Sequence, residues 1–215
     1  MRAEQLTGPV AYHAEGPVWS DRWGGLRWVD MLAGDVLSLA GDGTVRRRHV
    51  GGVAAALYRL DPDGSVHAAL EGVTVSNGLD WSPDGSLAYY DDTATHRVDV
   101  FDYDPHAGLT ARRPFVQLPD DGNPDGLTVD AEGGVWVALY GSGAVHRYTR
   151  DGVLDAVVEV PTALVTACAF GGPHLDELFV TTSREGLPPG DDPLAGSLFR
   201  AEVAIAGLPV REFAG

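Results

Sequence analysis

Short runs of alternating apolar and polar residues fill this chain, and each run ends in a turn. The runs "LRWVD", "LAYYDD", "VWVALY" and "LFVTTS" carry the two-residue period of half-buried strands. Helical periodicity is scarce. The 28 Gly and 14 Pro are scattered, as many short elements joined by many turns require. Four stretches align beneath one another: "EGPVWSDRWGGLRWVDMLAGDVLSLAGDG" from Glu15, "NGLDWSPDGSLAYYDDTATHRVDVFDYD" from Asn77, "DGLTVDAEGGVWVALYGSGAVHRYTRDG" from Asp125, and, more weakly, "TACAFGGPHLDELFVTTSREG" from Thr166, completed by "GSLFRAEV". Each opens on a polar residue and has an apolar residue four positions on: Trp19, Trp81, Val129 and Phe170. Each then runs strand, turn, strand, turn, strand. Asn77 and Asp125 are 48 residues apart, Asp125 and Thr166 41. Four-stranded propeller blades repeat every ~40–50 residues. A sandwich or barrel predicts no recurrent polar residue in one register. The chain therefore reads as one all-β domain over residues 1–215, a β-propeller.

The innermost strand of a propeller blade lines the central channel. Equivalent positions on successive blades converge at one channel end, and Glu15, Asn77 and Asp125 are equivalent. A glycine follows each of them, leaving room for close backbone approach. Taken singly, each reads as a strand-start residue capping its own backbone. Taken in register, three oxygen-bearing side chains make a site for a hard cation. Thr166 fills the fourth channel position and is read as structural in preference to a substrate contact.

Charge and composition narrow the function. The formal net charge is −16, and phosphate binding needs clustered Lys and Arg. The dense basic run "RRRH", 46–49, reads as an exposed strand face, so no nucleic-acid partner is expected. The chain contains no Lys, which excludes Schiff-base and P-loop lysine chemistry. The single Cys168 reads as a small buried hydrophobe. The N-terminus has no apolar h-region and no run approaches ~18 apolar residues. A soluble, cytoplasmic protein with no membrane partner is expected. A G-x-S-x-G elbow is absent, and "GSG", 141–143, reads as a turn. The seven His show no metal spacing. His13 reads as a solvated or channel-rim residue. The acidic pairs at 91–92, 120–121 and 191–192 read as solvated turn residues, and Trp19 and Trp81 as blade packing.

The motifs "AEGPVW", "VSNGLDWSPDG", "RVDVFDYD", "PDGLTVDAEGGVWVA" and "TACAFGGPHLDELFVTTSREG", with the closing "GSLFRAEVAIAGLPVREFAG", resemble the gluconolactonase/regucalcin (senescence marker protein) family in content and order. The resemblance covers nearly the whole chain. It implies a six-bladed β-propeller with one divalent metal ion (calcium, zinc, magnesium or manganese) and hydrolysis of sugar lactones. It places the metal ligands on Glu15, Asn77 and Asp125, with Asp125 also catalytic as proton acceptor. Those are the three positions that the repeat selects.

The chain also departs from that family. Glu15 and Asn77 are 62 residues apart, too long for one blade and too short for two. Between them, "ALYRLDPDGSV" repeats the last half of a blade with no first half before it. Six blades of ~40–45 residues need roughly 240–270 residues, against 215 here. An internal segment is expected to be missing near 51–58, leaving four to five blades. The resemblance implies that this segment carries the substrate-binding Arg-x-Asn-Asp run, which is absent, so the substrate-binding residues are unassigned. Two functions follow: a metal-dependent lactonase acting on a small sugar lactone, or a catalytically impaired remnant that binds a divalent cation or a partner. A monomer or weak homo-oligomer is expected.

Overall fold

A computed structural model describes residues 1–20, 25–30, 33–49, 57–60 and 66–211. It holds β1 (Glu4–Gln5), β2 (Ala14–Ser20), β3 (Gly25–Asp30), β4 (Asp35–Leu39), β5 (Val45–His49), β6 (Leu57–Leu60), β7 (Val66–Leu70), β8 (Ser76–Trp81), β9 (Leu87–Asp92), β10 (Arg97–Asp104), β11 (Gly108–Gln117), β12 (Asn123–Val129), β13 (Val135–Tyr140), β14 (Ala144–Tyr148), β15 (Leu154–Glu159), β16 (Val165–Gly171), β17 (Glu177–Thr182) and β18 (Leu198–Glu202). They form four antiparallel four-stranded sheets and one strand pair: β2–β5, β8–β11, β12–β15, β16–β18 completed by β1, and β6 with β7. This is an incomplete β-propeller.

Four apolar layers stack the sheets side by side. Leu57 and Leu70 pack with Tyr90 and Phe101, joining the β6–β7 pair to the β8 sheet. Tyr89, Val98 and Val137 join the β8 and β12 sheets. Trp136, Val145, Cys168 and Phe199 join the β12 and β16 sheets. Trp28, Leu37, Phe179 and Leu198 join the β16 and β2 sheets. Middle strands are therefore apolar on both faces, and every residue of "VWVAL" in β13 is buried. The outermost β5 and β11 are largely exposed. "RRRH" lies on that exposed β5, as the sequence reading has it.

The last sheet closes with the N-terminus. Glu4 and Gln5 pair with Arg200 and Phe199 of β18. Two residues are too few to show an alternation, so this strand has no sequence signal. The expected missing segment falls on residues 51–56, which lie outside the described residues, and on the start of β6. Among the described residues, no helix is long and apolar enough to cross a membrane.

One reading is corrected here and another is narrowed. The pair Asp91-Asp92 is not a solvated turn. Both residues end β9 and are buried, because β9 keeps pairing with Val98 and Arg97 before the chain turns at 93–96. Asp92 accepts the backbone N–H groups of Thr74 (2.8 Å) and Val75 (2.7 Å). Asp30 does the same for Tyr12 and His13, both at 2.9 Å. These carboxylates staple the segments that lead into β8 and β2, which satisfies otherwise buried donors. Of the two alternatives for His13, solvated or channel-rim, burial excludes the first.

Candidate metal centre

Each inner strand breaks register at its first channel-facing residue. The pairing of β2 with β3 shifts between Glu15 and Val18, and that of β8 with β9 between Ser76 and Leu79. That of β12 with β13 shifts between Pro124 and Leu127, and that of β16 with β17 between Val165 and Ala167. One extra residue on one strand is a β-bulge, which re-aims the side chain it carries. The bulges hold Asn77, Asp125 and Thr166, and Glu15 is the paired residue at the edge of the β2 bulge. The glycines after the ligand candidates serve the approach of neighbouring strands. A Cβ on Gly78 would stand 2.6 Å from the Leu127 backbone nitrogen, and one on Gly126 would stand 2.4 Å from Ala167 Cβ. Gly16 instead adopts φ +52°, a region that favours glycine.

Three of these four side chains meet. The Asp125 carboxyl stands close enough to the side chains of Glu15 and Asn77 to interact electrostatically with both. Asn77 Nδ2 donates to Thr93 Oγ1 at 3.1 Å, and Thr93 Oγ1 donates to the Pro124 carbonyl at 2.8 Å. Thr93 spends its proton on Pro124 and so accepts from the amide. That fixes the nitrogen of Asn77 and leaves its carbonyl oxygen as the donor atom for a ligand. On the other side, His13 Nε2 lies 3.5 Å from Glu15 Oε1. His13 Nδ1 meets Ser183 Oγ at 2.9 Å and Glu185 Oε2 at 3.1 Å. Thr93 and Ser183 follow the second strands of their blades at equivalent positions; Thr93 braces Asn77 on β8, and Ser183 braces His13, the residue before β2.

Burial dominates the electrostatics. It pushes the Glu15 carboxyl up to about 8. It also raises Asp125 well above the usual carboxylate range, helped by the Glu15 charge beside it. Asp125 Oδ1 is buried without a hydrogen-bond partner. Hard oxygen donors, clustered acids and an orphaned carboxylate oxygen fit a divalent cation. Among the described residues, no three His, Cys, Asp or Glu side chains are gathered closely enough to hold a metal alone. The third oxygen donor of this set is an amide.

Thr166 does not open onto the channel. It is fully buried, donates to the Ala14 carbonyl and pairs with Thr181 Oγ1 at 2.8 Å. It ties β16 to β2 just before Glu15. Trp19 stacks on Phe179 at 5.8 Å and Trp81 meets Tyr103 edge-on at 5.6 Å, as packing residues do. Both also line a cavity of about 260 Å³ at the opposite ends of the inner strands, beside Asp80 and Arg211. Cys168 is buried, and burial raises its thiol pKa, so it is not a reactive nucleophile.

Residues 39–184 match the family model described as "SMP-30/Gluconolactonase/LRE-like region". The chain belongs to this family. Human regucalcin is 40% identical over 176 residues, covering 79% of this chain and 56% of its own length. An L-arabinolactonase of Azospirillum brasilense is 39% identical over 185 residues, 84% of this chain and 60% of its own. The chain thus spans little more than half the length of these family members. A regucalcin of Agrobacterium tumefaciens, described as a calcium-binding protein, superposes with a TM-score of 0.86 at 23% identity, over 98% of this chain and 97% of its own. That similarity establishes the family fold.

Proposed function

We propose that this protein is a metal-dependent hydrolase of sugar lactones. The observation that carries the reading is the meeting of Glu15, Asn77 and Asp125 at equivalent bulges, with Asp125 Oδ1 buried and unpartnered. Family members named as sugar-acid lactonases support the substrate class: the L-arabinolactonase above and a pentonolactonase of Haloferax volcanii, 40% identical over 162 residues. Glu15, Asn77 and Asp125 would hold the cation, which is calcium, zinc, magnesium or manganese. When bound, such an ion polarises a lactone carbonyl and makes a nearby water more acidic. Glu15 and the Asn77 oxygen are positioning ligands. Asp125 takes the proton of the attacking water on a carboxylate oxygen.

The same reading holds that residues 1–215 are one propeller domain lacking material near 51–58. The β6–β7 pair, which has no inner strand among the described residues, and the length relative to the family members support it. One observation favours the alternative, a remnant that binds the cation without turning over substrate: no Arg-x-Asn-Asp run is present. Hydrolysis of a sugar lactone by the purified chain separates the two. The lactonase reading expects a rate above the uncatalysed one, lost with a chelator and in Asp125→Ala. A cation-loaded chain that leaves the uncatalysed rate unchanged would establish the remnant.

A further inference from the structure

Asp91 occupies a position that the other blades fill differently. Strand pairing makes it equivalent to Val29 in β3, Ala138 in β13 and Thr181 in β17. A carboxylate there is fully buried, at 0% exposure. Its Oδ1 accepts the Gly78 backbone N–H at 3.2 Å, but Oδ2 has no hydrogen-bond partner. Oδ2 lies in the notch left by the missing side chain of Gly78. A Cβ on that glycine would stand 2.7 Å from Asp91 Oδ2 and 2.6 Å from the Leu127 nitrogen, two residues past Asp125. An unpartnered buried carboxylate oxygen costs several kcal/mol in principle, and nothing in this fold requires one, since Val, Ala and Thr serve elsewhere. Asp125 carries a second unpartnered buried oxygen on β12, the inner strand of the next blade. One such atom on β9 and one on β12 are both relieved by a positive charge held between the two blades.

We infer that Asp91 belongs to the cation site, as a buried counter-charge behind Asn77 and Asp125 that raises affinity for an oxygen-ligated divalent cation. This rests on the cation-site reading above and deepens it. The trio forms the ligand set, and Asp91 acts on the ion from behind Gly78, the residue after Asn77. Its charge is felt there, since Asp125 and Glu15 are among the groups that raise its pKa after burial itself. More carboxylate charge around an oxygen site tightens cation binding, and partners behind the ligands typically contribute about 10–100-fold in affinity.

The test is calorimetric titration of the full chain with calcium, magnesium, manganese and zinc salts in turn, with no substrate. Parent, Asp91→Val, Asp91→Asn and Asp125→Ala are compared, beside thermal melts without added metal. Asp91→Val installs the residue found in the β2–β5 blade, and Asp91→Asn keeps an acceptor for Gly78. The expected result has two opposed parts. Asp91→Val melts at a temperature equal to or above the parent's in the absence of metal, and both Asp91 variants bind the cation about 10–100-fold more weakly. If Asp91→Val melts early, the Asp91→Asn affinity decides alone. Parent-like affinity in the folded Asp91 variants, with binding lost in Asp125→Ala, would overturn this inference and leave the metal centre standing. A parent that binds none of the four ions overturns both.

Discussion

Single atoms decide what the proposed metal centre can do. The bond from Thr93 Oγ1 to Pro124 makes that hydroxyl an acceptor toward Asn77, so one threonine sets which end of the amide faces the channel. Thr93→Val keeps the shape and removes both bonds. Cation affinity should fall about 10–100-fold, while the far-ultraviolet circular dichroism stays that of the parent. Unchanged affinity would show that the amide is held by other means. The turn after β8 offers a separate test. Asp84 accepts from Ser82 Oγ (2.6 Å), Ser86 N (3.0 Å) and Ser86 Oγ (2.8 Å). Led by the Ser82 bond, these contacts lower its pKa to about 2 from 3.8. The folded state therefore releases this proton more readily than the unfolded state. The resulting stability is present above pH 3.8 and disappears as pH falls through 2. Asp84→Asn should melt below the parent at pH 6, and the gap should close between pH 4 and pH 2. A gap independent of pH would assign the effect to the turn rather than to the charge.

At the scale of the strand, the bulge is the unit that builds the site. A regular β8 or β12 alternates its side chains between two faces. One extra residue at each strand start turns Asn77 and Asp125 into the channel instead. The glycine after each then lets the next inner strand close in. In Gly126→Ala the new methyl would stand 2.4 Å from Ala167 Cβ and 2.8 Å from its Cα. β12 and β16 must separate, at a cost of about 1–3 kcal/mol. A lowered melting temperature and weaker cation binding together are expected, and a neutral substitution would mean the strands are not packed this closely. The bulge positions were legible because the polar residue, the glycine and the following apolar run recur at blade spacing. Their supports were not. His13, Thr93 and Ser183 meet the inner strands only through pairing and loop placement that no local pattern encodes. Asp91 and Asp92 imitate a turn, since acidic pairs favour turns, and only the pairing of β9 with Arg97 and Val98 keeps them in a strand. β1 is a two-residue strand whose partner lies nearly 200 residues away at Phe199 and Arg200.

For the whole molecule, the question is whether four complete blades and a strand pair hold the metal centre together. The three proposed ligands come from three different sheets, β2–β5, β8–β11 and β12–β15. A bound cation therefore links sheets as well as filling a site, and its binding energy adds to folding stability. In its absence the site concentrates buried acid: Glu15, Asp91 and Asp125 are all raised by burial. The most direct measurement is a thermal melt of the purified chain with and without millimolar calcium, magnesium, manganese or zinc, run beside Asp125→Ala. One cooperative transition is predicted, raised by at least one of these ions in the parent and unmoved in Asp125→Ala. An ion present at ~100 times its dissociation constant adds about 2.7 kcal/mol. A broad transition indifferent to all four ions, or an equal rise in Asp125→Ala, would contradict the account.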